Sequence, residues 1–320
     1  MTIKDAFNRL QNEDHVYMIF NTNSIVPYVR CDTDDTMLDY ASLYFSEEMA
    51  LADAKALTAE GLGPKTAMKI NKDQIVSVLI DTLYLGIDAI KFNLEEESMI
   101  IETEQMVRID PNVKSPDGKP YLINRPAQIS MVYLVQELMK RPDSPKRDPQ
   151  LLNEYQTEAL RDIANSSFYV AFTELKDKAP AAAAEDTAEN ADSSDNAASG
   201  TDTGAAPDNE ASTAAADGKS SEPGTEHVKK FVPAVLKDKE GRLMLPIFTD
   251  INELKKAFRG QPEQKVPYRA MPYREIVAAF INDKAKLDGI IVNPAGVKLP
   301  MLKKSVQTLA ADKRFIPEEK

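Results

Sequence analysis

Residues 232–238, Val-Pro-Ala-Val-Leu-Lys-Asp, are the strongest clue to the fold because they repeat an earlier stretch, Val-Pro-Tyr-Val-Arg-Cys-Asp at residues 26–32. Two more pairs of segments match in the same order along the chain: 44–51 with 247–254, and 87–93 with 287–293. The separation between matched residues changes only slowly. Ordered matches at so long a separation indicate a duplicated domain, because solenoid repeats have periods of about 20 to 50 residues.

The match upstream of these segments shows where an insertion lies. Residues 16–20 correspond to residues 168–172, and their separation is shorter than that of the other matches. The extra length is taken up between residues 172 and 232, which places an insertion inside copy two, between its first and second strands. A long loop is tolerated there because the entropy of loop closure grows slowly with length.

The inserted segment, residues 177–227, differs in composition from the rest of the chain. It contains no Leu, Ile, Val, Met, Phe, Tyr or Trp, and it carries 12 acids and two lysines. With no apolar side chains to bury, this acidic Ala/Asp/Ser-rich segment is expected to be disordered. It also supplies most of the formal net charge of −12 of the 320-residue chain. A spacer or solubilising loop is the favoured role, and an acidic partner-binding segment is the alternative.

Apolar periodicity predicts the same α+β fold in each copy, a small mixed β-sheet packed with helices. The expected order is helix, three strands, two helices and a strand. A short strand is possible between the two consecutive helices. The predicted helices are 3–11, 47–59 and 72–84 in copy one, and 151–164, 251–258 and 273–282 in copy two. The predicted domains are copy one (1–125), a bridging helix with a Pro-rich linker (126–149), and copy two (150–320).

The helix after the third strand has a predicted start and a predicted seat in each copy. Ser46 and Thr249 are the predicted N-caps, each followed by an acidic residue that favours the helix N-terminus. The same alignment predicts the two apolar side chains that seat this helix on its sheet: Phe248 with Leu254 in copy two, and Phe45 with Leu51 in copy one.

Three segments of copy two carry a family resemblance: Phe-Val-Pro-Ala-Val at 231–235, Lys-Glu-Gly-Arg-Leu-Met-Leu-Pro-Ile-Phe-Thr-Asp at 239–250, and Leu-Asp-Gly-Ile-Ile-Val-Asn-Pro at 287–294. They resemble the N-terminal domain of the SseB family, the bacterial enhanced serine sensitivity protein. Copy one lacks the hairpin glycine and has Tyr44 where copy two has Pro246. The resemblance implies a bacterial, soluble protein with two tandem domains, the first diverged, and it supplies no catalytic motif.

The residue types exclude several kinds of site. The single cysteine, Cys31, rules out an intramolecular disulfide and a cysteine-based zinc site. The two histidines, His15 and His227, are far apart, and the acidic run 32–35 lacks the glycine and glutamate of an EF-hand. We therefore expect no cofactor and no metal. The acidic balance argues against nucleic acid as a partner, no segment is apolar enough for a membrane, and a cytoplasmic protein is expected.

Two polar residues recur in both copies and form the candidate site. Asp88 and Asn93 correspond to Asp288 and Asn293, on either side of a predicted buried strand. They could line a ligand or partner crevice, or they could cap and start turns, which is the favoured interpretation because Asp and Asn are turn residues.

The sequence leaves several functions open. The favoured hypothesis is a non-enzymatic interaction or regulatory protein with a protein partner, because no catalytic arrangement is apparent. The alternative is a binding protein for a small metabolite related to amino-acid metabolism, which only the family name motivates. Acid–base chemistry on Asp88 or Asp288 is the enzymatic alternative.

Overall fold

The computed structural model describes residues 2–22, 24–31, 37–94, 97–110, 112–115, 118–174, 231–259, 266–281 and 286–315. The predicted disorder of segment 177–227 falls outside these residues and stays a prediction. The chain divides into two compact units, residues 1–173 with 232–320, and residues 174–231. Both β-sheets belong to the first unit.

Copy one alternates short strands with helices that cover its sheet. Its elements are α1 (Ile3–Asn12), β1 (His15–Asn21), β2 (Val26–Pro27), β3 (Val29–Cys31), β4 (Asp39–Tyr44), α2 (Glu47–Ala59), β5 (Lys65–Asn71), α3 (Lys72–Tyr84), β6 (Ala89–Asn93), β7 (Ser98–Glu102) and α4 (Thr103–Met106). The predicted helix 72–84 is confirmed, and the possible short strand before it is the seven-residue β5.

Two helices lead from copy one into copy two, α5 (Arg125–Met139), which is the predicted bridging helix, and α6 (Pro149–Asn165). The elements that follow are β8 (Ser167–Glu174), β9 (Phe231–Pro233), β10 (Leu236–Lys237), β11 (Leu243–Phe248), α7 (Ile251–Ala257), β12 (Tyr268–Pro272), α8 (Tyr273–Ile276), a π-helix (Val277–Ile281), β13 (Gly289–Val292), β14 (Leu299–Leu302), α9 (Lys303–Ala311) and a 3-10 turn (Lys313–Phe315).

The two sheets have the same topology. The first has the strand order β2-β1-β4-β6-β7, with β3 on β4 and β5 on β1. The second has the order β12-β8-β11-β13-β14, with β10 on β11 and β9 on β8. In each sheet one central pair is parallel, β4 with β6 and β11 with β13, and the remaining pairs with a described register are antiparallel. The predicted α+β fold with two mixed sheets is confirmed.

The sequence missed the last strand and helix of each copy. The strands β7 and β14 pair with the closing strands β6 and β13, and the helices α4 and α9 follow them. Pro300 within β14 argues against a strand, and it is tolerated because β14 lies at the sheet edge. The predicted helix 273–282 is interrupted, since α8 ends at Ile276 and a π-helix continues to Ile281.

The predicted alignment of the third strands is displaced by one residue. Tyr17 pairs with Tyr44, and its counterpart Tyr169 pairs with Phe248. Tyr44 therefore corresponds to Phe248. By the same register Ser42, which pairs with Lys91, stands where copy two has Pro246.

This displacement changes which residues seat the helix in copy one. Phe248 and Leu254 are buried, as predicted. The predictions for Phe45 and Leu51 are wrong: Phe45 is half-buried and the Leu51 residue is 39% exposed. A shift of one residue moves a side chain to the other face of a sheet. The buried residues that correspond to Phe248 and Leu254 are Tyr44 and Ala50.

One hydrophobic core runs through both copies. It includes Phe92 in β6, Met131 in α5, Ile163 in α6 and Phe168 in β8, all of which are fully buried. The bridging helix is therefore part of the core that the two sheets share.

Candidate functional site

The four predicted site residues lie at the two ends of β6 and β13. Asp88 and Asp288 precede these strands, whereas Asn93 and Asn293 stand at their carboxyl ends. The four-residue strand β13 separates Asp288 from Asn293, which at 3.3 Å per residue places them roughly 16 Å apart. The structure therefore does not bring the two predicted residues of one copy together.

Asp288 and Asp88 bind the start of the neighbouring strand. The Leu243 N–H donates to Oδ2 of Asp288 at 2.8 Å, and the Asp39 N–H donates to Oδ2 of Asp88 at 3.3 Å. In both copies this carboxylate satisfies a backbone donor beside the parallel strand pair. A ligand role for either aspartate stays a prediction.

Asn293 and Asn93 have different surroundings. Asn293 is fully buried, has a φ of 46°, and accepts the Gly296 N–H on its backbone carbonyl at 3.0 Å, which forms a turn. Asparagine adopts this left-handed conformation more readily than most residues. Asn93 is half-buried, and its Nδ2 donates to the carbonyls of Leu43 at 3.3 Å and Lys91 at 3.2 Å.

Asn293 is the centre of what we call the polar cluster, which consists of Gln128, Thr249, Asp250, Glu253, Lys256 and Asn293. Its Nδ2 donates to Oε1 of Gln128 at 2.9 Å and to Oγ1 of Thr249 at 2.8 Å. Its Oδ1 accepts the Thr249 N–H at 3.0 Å. Gln128 in turn donates from Nε2 to Oδ2 of Asp250 at 2.7 Å. These four residues are at most 1% exposed, so their hydrogen bonds replace those to water.

Asp250 is also the N-cap of α7. Its Oδ1 accepts the N–H groups of Asn252 at 2.8 Å and Glu253 at 3.0 Å, and its Oδ2 accepts the Thr249 hydroxyl at 2.9 Å. The predicted N-cap at Thr249 is wrong because of the one-residue displacement. The predicted N-cap at Ser46 is confirmed by its bond from the Met49 N–H at 3.4 Å.

Glu253 places a second carboxyl group in the polar cluster. It is 2% exposed, and its Oε1 contacts Lys256 Nζ at 3.0 Å, whereas its buried Oε2 has no partner among the residues described. A Cβ at Gly296 would lie 2.2 Å from that Oε2, so a larger residue there would have to displace the Glu253 carboxylate. Lys256 Nζ also lies 3.5 Å from Oδ2 of Asp81, on α3 of copy one.

Burial controls the charges of this cluster. It raises the pKa of Asp250, although the hydrogen bonds that its carboxylate accepts act in the opposite direction. Burial also raises the pKa of Glu253, against the attraction of Lys256. For Lys256 burial alone would lower the pKa, but the negative charges of Glu253 and Asp81 outweigh it and hold the pKa above its ordinary value.

The bridging helix α5 uses one buried glutamine for each copy. Gln128 bonds to copy two through the polar cluster. Two helical turns later, Gln136 accepts the Val29 N–H at 2.8 Å, donates to the Val29 carbonyl at 3.0 Å and accepts from Nδ2 of Asn21 at 3.2 Å. The glutamines therefore hold α5 to both copies at once.

The chemistry of the polar cluster is that of an internal connection. The side-chain oxygens of Asp250 and the side-chain amides of Gln128 and Asn293 are all bonded within the chain, and Glu253 turns its remaining oxygen toward Gly296. Among the described residues, no group of three His, Cys, Asp or Glu side chains could hold a metal ion. Sequence reasoning found Asn293 but missed Gln128, Asp250, Glu253 and Lys256. The Asp after Thr249, with Glu253 three residues later, was an available N-cap signal.

The outer edges of the two sheets also differ. The edge strand β5 pairs with β1 along all seven residues and contains no proline. Its counterpart β12 has only five residues and ends at Pro272, and each of the two strands directly follows a proline, Pro64 or Pro267. Prolines protect sheet edges from further pairing because they lack a backbone donor. β5 is therefore the less protected of the two equivalent edges.

None of the helices in the part of the chain that the structure describes combines the length and apolar composition that crossing a membrane requires. Comparison with family models matches residues 151–308 to the SseB protein N-terminal domain. Neither a curated protein nor a solved structure matches the chain. The matched residues run from α6 to α9 and include the polar cluster apart from Gln128. Residues 151–308 of this chain are therefore similar to the SseB protein N-terminal domain.

Proposed function

We propose that this protein is a non-enzymatic interaction protein, and that copy one binds an extended segment of a protein partner along β5. The observation that carries the proposal is that the edge of β5 is less protected than the equivalent edge of β12. In α/β proteins, ligands commonly sit beyond the carboxyl ends of parallel strands, but here the groups at that position in copy two bond to one another. No strand in the described part of the chain pairs with the outer edge of β5, and this edge is the better candidate for binding.

The backbone of β5 has donors that point away from its sheet. The Thr22 N–H donates to the Pro64 carbonyl at 3.2 Å. Because hydrogen-bonded and non-bonded positions alternate in an antiparallel pair, the amides of Ala67 and Lys69 face outward. An extended peptide can accept and return these bonds as an added strand, as in other cases of β-strand addition.

The charges along this edge favour an acidic partner segment. Lys69 and Lys72 are exposed, and neither forms an ion pair with the residues that the structure describes. Met68 lies beside them and is 38% exposed. A partner strand with acidic side chains opposite the lysines, and an apolar side chain over the methionine, would complement this edge.

The two copies provide a matched pair of variants for the test. Lys69 in β5 and Ala270 in β12 occupy equivalent positions, opposite Tyr17 and Tyr169, and both are exposed with outward amides. Lys69→Pro removes one outward donor from the free edge, and Ala270→Pro makes the same change at the protected edge. Full-length tagged variants would be used to isolate partners from the native host, with quantification by mass spectrometry.

The expected result is a partner that wild type and Ala270→Pro recover equally and that Lys69→Pro recovers at least tenfold less, since an unmade buried hydrogen bond is worth more than about 1.4 kcal/mol. Lys69→Glu should weaken the same partner through charge repulsion. Equal recovery by all variants would contradict binding at β5. A variant that lacks residues 179–226 and recovers the partner more strongly would identify the acidic segment as a competitor for the edge.

We further propose that copy one is a diverged SseB-type domain. Its support is the topology shared by the two sheets, with corresponding aspartate and asparagine residues around β6 and β13. A bacterial, cytoplasmic location fits a chain with a single cysteine, because secreted domains are commonly held by disulfides.

A further inference from the structure

A cleft on copy two contains an arginine that has no ionic partner among the residues that the structure describes. The cleft has a volume of about 310 Å³ and lies between the α8/π-helix segment and α9. It is lined by Arg274, Val277, Gln307, Ala310 and Ala311. Its volume is at the lower end of the range for small-molecule sites, so it fits a compact ligand.

Arg274 is held in place but has unused donors. Its Nη2 donates a hydrogen bond to the Phe315 carbonyl at 3.1 Å. Its buried Nε has no acceptor among the residues that the structure describes. No carboxylate of those residues lies within ion-pair distance of the guanidinium. A guanidinium has five N–H donors arranged to match the two oxygens of a carboxylate. A planar anion is therefore the chemistry that this arginine lacks.

The remaining walls indicate what the anion is attached to. Val277, Ala310 and Ala311 offer methyl groups, and Gln307 adds one amide. Val277 begins the π-helix, a feature that often occurs at functional sites. A single cation with aliphatic walls suits a monocarboxylate with a short aliphatic body better than a multiply charged phosphate.

The described residues of copy one contain no equivalent arrangement. Lys69 and Ala270 pair with the equivalent residues Tyr17 and Tyr169, so the two copies align with Lys72 at the position of Tyr273. Asp73 therefore corresponds to Arg274 and carries the opposite charge. The helix α4, which corresponds to α9, has four residues where α9 has nine, and it is too short to supply the second wall. The arginine and the wall that faces it are both specific to copy two.

We propose that this cleft binds a small aliphatic carboxylate, with Arg274 as the residue that pairs with its charged group. The site is separate from β5 and the proposal does not rest on partner binding there. Butyrate is a suitable probe, with butyramide as its neutral counterpart and inorganic phosphate as an anion without an aliphatic body. Binding to the full chain would be followed in methyl NMR spectra with labelled alanine, since Ala310 and Ala311 line the cleft.

Butyrate should shift the Ala310 and Ala311 methyl signals in a saturable way, and butyramide should bind at least about tenfold more weakly because it lacks the charge. Arg274→Gln should weaken butyrate by a similar factor. Arg269→Gln, which changes an exposed arginine on β12, should leave binding unchanged. Ala311→Leu should block the cleft from an exposed position while Arg274 stays in place, which guards against a folding defect in Arg274→Gln.

The proposal is wrong if butyrate does not shift these methyl signals, or if Arg274→Gln binds it as wild type does. Phosphate binding as tight as that of butyrate would overturn the assigned ligand class, because the aliphatic walls would then contribute nothing. Undiminished butyrate binding by Ala311→Leu would place the ligand elsewhere.

Discussion

The two copies hold different chemistry at the same place in the fold, where the third strand ends and the next helix begins. In copy two this place contains Thr249 and Asp250, both fully buried. The Thr249 hydroxyl donates to Asp250, which also accepts a bond from Gln128 of the bridging helix. In copy one the corresponding residues are Phe45 and Ser46, and Phe45 stacks on Phe92 with ring centroids 6.2 Å apart. A polar connection in one copy is replaced by an aromatic contact in the other.

This difference shows how two sheets of the same topology can hold different side chains at equivalent positions. Hydrogen bonds between buried polar side chains favour one arrangement of the parts that they join. In copy two those parts are the sheet, α5 and, through Lys256 and Asp81, a helix of copy one. Copy one lacks this network at the equivalent position and instead has the less protected sheet edge.

The largest expected effect comes from the side chain that seats α7. Phe248→Ala should lower the free energy of unfolding by roughly 3–5 kcal/mol, because Phe248 is fully buried. Phe45→Ala should cost clearly less, since Phe45 is half-buried and faces a different side of its sheet. Urea denaturation of both variants measures the difference. Equal costs would support the alignment from the sequence, in which Phe45 corresponds to Phe248.

The second effect compares the two asparagines. Asn293→Ala leaves the Thr249 N–H and Gln128 Oε1 buried without a partner and should cost about 3 kcal/mol. Asn93→Ala removes two weaker bonds from a half-buried side chain and should cost about 1 kcal/mol. Denaturant unfolding of the single variants would test this order. A larger loss of stability in Asn93→Ala would contradict the conclusion that the hydrogen bonds of Asn293 contribute more to stability than those of Asn93.

Local patterns predicted most of the helices, but they did not predict the contacts between distant segments. The helix 72–84 could be predicted because its apolar spacing and its capping box, with Asn71 and Gln74, are local. The residue-by-residue correspondence between β4 and β11 could not be predicted. Tyr44-Phe45 and Ile247-Phe248 are both apolar pairs, so an alignment shifted by one residue keeps the same apolar pattern. Gln128 was missed since its partners Asp250 and Asn293 are 122 and 165 residues away in sequence.

A third effect concerns the buried carboxyl group that only copy two carries at this position. Met49 corresponds to Glu253. Since burial raises the pKa of Glu253 in the folded state, that state binds the proton at higher pH than the unfolded chain does. This contribution to stability therefore increases as the pH falls toward the ordinary glutamate value. The free energy of unfolding of wild type, relative to that of Glu253→Gln, should increase as the pH is lowered from 7 to 5.

Unfolding by urea at several pH values, with Met49→Gln as the control for copy one, would measure this dependence. A stability difference between wild type and Glu253→Gln that falls on acidification would mean that the pair with Lys256 outweighs burial and keeps the pKa of Glu253 low.

The smallest expected effect separates the two aspartates. Asp288→Ala removes a 2.8 Å bond to the Leu243 N–H and should cost about 1 kcal/mol. Asp88→Ala removes a 3.3 Å bond and should cost less. If either variant kept its stability but no longer bound a partner or ligand, the result would indicate that these residues line a binding crevice.

A double-mutant cycle between Gln128 and Asn293 is the most direct test of the polar cluster as the connection between α5 and copy two. If the two side chains act through their mutual bond, the costs of Gln128→Ala and Asn293→Ala should be non-additive by roughly 0.5–3 kcal/mol. Gln136→Ala is the matched control on the same helix, and about 12 Å of helix separates it from Gln128. Its cost should add to that of Asn293→Ala within about 0.5 kcal/mol. Additive costs for Gln128 and Asn293, or equal coupling for both glutamines, would contradict the account.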